Sequence, residues 1–93
     1  GFALADLGPN PATQQLGLTF ELERAQALLW QLVDERGRIV RTWPLQRWEA
    51  GVQQLSWNLH DERGQRVAAG QYWWRVQGEG ASQSFPIVVL GKE

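Results

Sequence analysis

Few side chains in this sequence stand where they could do chemistry. The single histidine, His60, is followed directly by Asp61, and acidic residues recur as the pairs Asp34-Glu35 and Asp61-Glu62. A His–Asp dyad could polarise a nucleophile, and paired carboxylates could hold a cation. The spacing argues against both. Sequence neighbours do not orient an imidazole as a triad does, and no serine stands in a nucleophile-elbow context. Each acidic pair is followed at once by Arg36 or Arg63, a local counter-charge, and neither pair has calcium-loop spacing. There is no glycine loop to cradle phosphate. With no Cys there is neither a thiolate metal site nor a disulfide framework. The expectation is a chain that is not an enzyme, with no catalytic, cofactor or metal residues and with His60 as an exposed turn residue.

Six tryptophans are the other chemical feature. An exposed indole can stack on a sugar ring, but a core position gives it a packing role instead. Trp57 and Trp74 fall at inward-patterned positions. Trp73, Trp43 and Trp48 are less settled, and either cover a sheet end, pack on a larger parent protein, or contact polysaccharide.

The elements that position these residues read as strands. In the central stretch Trp57 to Val76, Leu55, Trp57 and Leu59 alternate on one face of an extended run, and Tyr72, Trp74 and Val76 do so from Gln71 to Gln77. Between them, Asp61-Glu62-Arg63-Gly64 suits a type I turn whose Gly takes positive φ. The segment Asp34-Glu35-Arg36-Gly37 repeats that chemistry, so both copies are expected to form bulged hairpin turns with their charged tips in water. Gly70 gives a further permissive point before the aromatic run. Gly1 to Leu7 is a short first strand, broken by Gly8-Pro9-Asn10-Pro11. Leu16, Leu18, Phe20 and Leu22 define a half-buried strand, Glu23 to Gln26 a loop, and Ala27 to Asp34 a third strand with Leu28, Trp30 and Leu32 inward. Thr42 to Gly51 reads as an irregular crossover between sheets. After a Gly78-Glu79-Gly80 loop, Ser82 to Leu90 forms a last strand, placed by Pro86 at an edge or a bulge. About seven short strands and no helix argue an all-β, two-sheet antiparallel sandwich.

At 93 residues this is a single domain, residues 1–93, and the aromatic residues are needed to fill its core. A net charge of −1 gives no field to attract nucleic acid. No apolar run is long enough to be a transmembrane segment. The absence of Met suggests an excised fragment or a processed piece of a longer chain.

The ordered set Pro9-Asn10-Pro11, Asp34 with Gly37, Trp57, Asp61 with Gly64, and Gly70-Gln71-Tyr72 resembles the type A C-terminal sorting domains of the type IX secretion system. It is similar also to the Ig-like domain of the flagellar hook-capping protein, and the resemblance spans roughly Leu7 to Leu90. It implies a seven-stranded Ig-like sandwich at the end of a larger exported protein of a Gram-negative bacterium. Such a module acts as an address: outer-membrane secretion and translocon proteins recognise it, and the parent's catalytic or binding domains precede it. The protein is then secreted or held at the cell surface by way of the periplasm. Partner contact is expected at Trp73, Val88, Val89 and Lys92, with main-chain groups of the last strand open at a sheet edge. Those domains commonly end on a basic strand, whereas here Lys92 is the lone terminal cation, followed by Glu93. Two other readings are a polysaccharide-binding accessory module and a structural Ig-like spacer or hook-cap-like assembly domain.

Overall fold

Alternating apolar side chains give each inner strand one dry face, and two such faces make the core. A computed structural model describes residues 2–79 and 81–91. Seven strands follow in order: β1 Phe2–Gly8, β2 Leu16–Leu22, β3 Gln26–Asp34, β4 Ile39–Trp48, β5 Gly51–Trp57, β6 Gly70–Gly78 and β7 Ala81–Val89. They form two antiparallel sheets of order β1-β2-β5 and β4-β3-β6-β7. The fourth strand thus pairs with the third, in the sheet that also holds β6 and β7, which is an arrangement of the Ig-like class. No helix among the described residues is long and apolar enough to cross a membrane.

The expected inward residues Leu18, Phe20, Leu28, Trp30, Leu32, Trp57, Tyr72, Trp74 and Val76 are all buried, while Leu55 is half-buried at the margin of the core. Aromatic rings link the layers, with Phe20 5.1 Å from Trp30 and Trp57 edge-on to Tyr72 at 5.8 Å, and within the four-stranded sheet Trp30 meets Trp74 edge-on at 6.0 Å. Val33, on the opposite face of β3, is also buried, because its ladder neighbours there are Ile39 and Trp73.

Two expectations need correction. Thr42 to Gly51 is not an irregular crossover: most of it belongs to the strand β4, and the chain changes sheets only at Glu49-Ala50. The strand escapes a period-two reading because its pairing with β3 shifts twice, once opposite Leu29, where Pro44 falls. Pro44 is tolerated because β4 is an edge strand, whose outer side makes no ladder. Leu59 is fully buried as expected, but not by strand alternation. The strand stops at Trp57, and Leu59 turns inward from a left-handed backbone with φ 64°.

Candidate functional site

The recurring D-E-R-G turns are built alike, atom for atom. In the first, the Asp34 Oδ1 accepts from the N–H groups of Arg36 and Arg38, each at 2.9 Å, and Gly37 N–H returns to the Asp34 carbonyl at 3.0 Å. In the second, the Asp61 Oδ1 accepts from Arg63 at 2.9 Å and Gln65 at 3.0 Å, and Gly64 N–H returns to the Asp61 carbonyl at 3.0 Å. Both glycines sit at φ 80°, where a side chain is strained. The first turn joins β3 to β4. The second closes only the isolated His60–Arg66 bridge within the connection between the sheets. It docks on β4, where Glu62 N–H donates to the Val40 carbonyl at 3.2 Å and Arg41 lies 3.9 Å from the Glu62 carboxylate.

Between the turns runs an open cleft of about 360 Å³ lined by Asp34, Arg38, Ile39, Val40, Asp61, Glu62 and Arg63. Its carboxylates are already engaged. Asp34 also pairs with the Arg38 guanidinium at 2.9 Å. Burial alone raises the Asp34 pKa, but the Arg38 and Arg36 N–H groups and the Arg38 charge outweigh it and hold the carboxyl below its ordinary value. His60 turns its Nδ1 to the Asn58 carbonyl at 2.8 Å, so Nδ1 carries the proton there. Asp61 has its Oδ1 committed to the turn, and no group of three metal-ligating side chains occurs among the described residues.

The remaining signature residues each hold one junction. Trp57, fully buried, donates its Nε1 hydrogen to the His60 carbonyl at 2.8 Å. The Tyr72 hydroxyl donates to the Ala68 carbonyl at 2.5 Å, tying the entry of β6 to the chain before it, as in the tyrosine corner of Ig folds. Burial, with help from Asp34 and Glu35, raises the Tyr72 pKa. Gly70 has φ 154°, and a Cβ there would stand 2.9 Å from the Glu35 Oε1, the oxygen that accepts the Gln71 N–H at 2.9 Å. Pro9 and Pro11 flank Asn10, whose Oδ1 accepts the Val88 N–H at 3.0 Å. Ala12 adds two backbone bonds of 2.8 Å, one to the Val88 carbonyl and one from the Leu90 N–H.

These bonds change the expected contact set. The Val88 end of β7 is not an open edge, because the Asn10–Ala12 segment already occupies it. Val89 is 1 % exposed and packs in the core, so its side chain offers no partner contact. Trp73 and Val88 do share the outer face of the four-stranded sheet, with Pro86 opposite Trp73 and Val88 opposite Gln71. Lys92 and Glu93 lie outside the described residues, as do Gly1 and Gly80. Trp43 stacks on Trp74 at 5.7 Å and carries the Arg41 guanidinium 4.8 Å from its ring centroid, and Trp48 packs edge-on against Phe20 at 5.4 Å. The protein itself engages both rings. Sequence reasoning missed Glu35, Ala12 and Arg66, the last of which donates to the Thr13 carbonyl and to the Leu90 carbonyl at 3.3 Å. Their partners are distant in sequence, so no local pattern marks them.

The turn pair and the sandwich topology fit what a family comparison finds, since the model of the FlgD Ig-like domain matches residues 10–82. The chain belongs to the FlgD Ig-like domain family. No curated protein sequence matches it significantly. Among solved structures, the chain is similar to part of the dimeric latent PorU from Porphyromonas gingivalis. That match has TM-score 0.77 and 16 % identity over 98 % of this chain and 9 % of that one. It is similar also to PorZ from the same organism, titled an essential bacterial surface component of the type IX secretion system, at TM-score 0.63 and 19 % identity over 94 % of this chain and 11 % of that one. FlgD from Xanthomonas campestris, a hook-capping protein, matches at TM-score 0.62 and 19 % identity, over 94 % of this chain and 64 % of that one. The chain therefore spans only a small part of the length of PorU and PorZ.

Proposed function

We propose that this chain is a non-catalytic Ig-like module that addresses a larger exported protein to the bacterial surface through type IX secretion. The observation that carries the reading is the PorU match: 98 % of this chain corresponds to 9 % of that much longer protein, so the whole fold recurs there as one small module. The PorZ match, to a bacterial surface component of the type IX secretion system, supplies that setting. In this reading the partners are secretion and translocon proteins of the outer membrane, and the site's turns and caps hold a rigid fold instead of a reactive centre. Contact with the machinery falls to the side chains of Trp73, Val88 and Lys92, since Asn10 and Ala12 occupy the main chain around Val88.

The test is a passenger fused to residues 1–93 and fractionated in hosts with and without the translocon. Surface delivery that needs the translocon, and that weakens on Lys92→Glu, is the expected result. An intact fusion held in the periplasm, while a known sorting domain exports the same passenger, would overturn the reading. A structural assembly domain is then the function, a role favoured by the FlgD family match and by the FlgD of Xanthomonas campestris.

A further inference from the structure

Each of the two sheets ends in two edge strands, and three of these four edges are guarded by recognised means. β1 is interrupted by a register shift between Leu4 and Asp6, with a charged side chain at the break. β4 carries two register shifts, Pro44, Arg41 and Arg47. β7 carries Pro86, and its Val88 and Leu90 main-chain groups are taken by Asn10 and Ala12. Bulges, prolines, charges and covering segments are how soluble sheets keep foreign strands away.

β5 has none of these. Its seven residues, GVQQLSW, include no charge and no proline. Its register with β2 is unbroken from Leu16–Trp57 to Leu22–Gly51. Among the described residues it forms a ladder with β2 alone, so along its other side no strand partners it from Gly51 to Ser56, and only its last residue, Trp57, is fully buried. The strand also carries an exposed apolar side chain, Val52, at 64 % exposure.

We propose that this edge pairs with a second copy of the chain, β5 against β5 in antiparallel register, merging two three-stranded sheets into one of six strands. Self-pairing suits this strand because it is neutral, so no like charges meet across the two-fold axis. A register centred on Gln54 pairs the five residues from Val52 to Ser56: Gln54 with its own copy, Gln53 with Leu55 and Val52 with Ser56, and the ladder stops short of the fully buried Trp57. It also keeps the inward residues of both copies on the same side, because residues opposite each other share a face. An edge ladder is small beside the roughly 1,200–2,000 Å² of a stable interface, so the association is weak and depends on concentration. The inference does not depend on a role in secretion.

Sedimentation velocity on the 93-residue chain from micromolar to millimolar concentration tests it. The expected result is a reversible monomer–dimer equilibrium, with amide exchange across Val52–Ser56 slowing as concentration rises. Gln54 is exposed, so Gln54→Lys and Gln54→Glu should each melt like the parent at low concentration. Each alone should dimerise about five-fold more weakly or worse, because identical charges then face each other. An equimolar mixture of the two should recover the dimer. A parent that stays monomeric throughout, or charge variants that dimerise as well as the parent, would overturn the proposal.

Discussion

Asp34 and Asp61 hold their turns through one carboxylate oxygen each, bonded to two backbone N–H groups, but only Asp34 adds a guanidinium partner at 2.9 Å. Burial disfavours the Asp34 charge, and the Arg38 and Arg36 N–H donors with the Arg38 charge more than offset it, so its folded pKa lies below the ordinary value. Folding thus favours ionised Asp34. That contribution is complete above the unfolded carboxyl value near ~3.9 and disappears as pH falls through the folded value. Asp34→Asn keeps an oxygen acceptor for the turn and removes the titration. Its melting temperature should therefore decline less steeply than the parent's as a thermal series descends from pH ~4 to ~2. Parallel acid limbs would mean the charge contributes nothing. Gly64 isolates the other half of the turn. Nothing lies within 4 Å of where its Cβ would be, so at φ 80° Gly64→Val suffers conformational strain of roughly 1–2 kcal/mol and not a clash. Gln65→Val adds no such strain, and its melting temperature should stay above that of Gly64→Val.

Strands that bury one face could be read directly. Leu16 to Leu22, Leu28 to Leu32 and Tyr72 to Val76 alternate because the core accepts every second side chain, and the two Asp…Gly turns announce themselves by residue type. β4 could not be read so, since at an edge it is partly wet on both faces, and Pro44 with two register shifts breaks the period. The contact site was less legible than the fold. Val89 differs from Val88 only in phase, and the phase that buries Val89 exposes Val88 at 37 %. The purpose of Asn10 was hidden for another reason: its partner, Val88, is 78 positions away. That long bond makes a loop residue the guard of a strand edge. Asn10→Ala would leave the Val88 N–H without its acceptor, costing about 1 kcal/mol. The expected readout is faster amide exchange at Val88 with little change at β2 or β3. Unchanged protection at Val88 would show that Ala12 alone keeps that edge closed.

Both sheets share one core, and Trp57 shows how closely. It closes β5 in the three-stranded sheet, lies edge-on to Tyr72 of the four-stranded sheet at 5.8 Å, and binds the His60 carbonyl in the connection between them. Neither sheet can keep its inner face dry without the other, so the molecule should unfold in a single step. Trp57→Ala removes packing from both layers at once and should cost about 3–5 kcal/mol. A domain of this size has a total stability of roughly 5–14 kcal/mol, so the loss is a large share of it. Converted through the unfolding entropy, it lowers the melting temperature by at least ~12 °C. The form of the transition matters as much as its midpoint. Far-ultraviolet circular dichroism reports the strands, and fluorescence of the remaining tryptophans, Trp30 and Trp74 among them, reports the four-stranded side of the core. In the parent and in Trp57→Ala the two signals should move together. If fluorescence held while part of the circular dichroism was lost earlier, the sheets would be separable units and Trp57 would pack on only one of them. A variant melting within a few degrees of the parent would remove Trp57 from the core altogether.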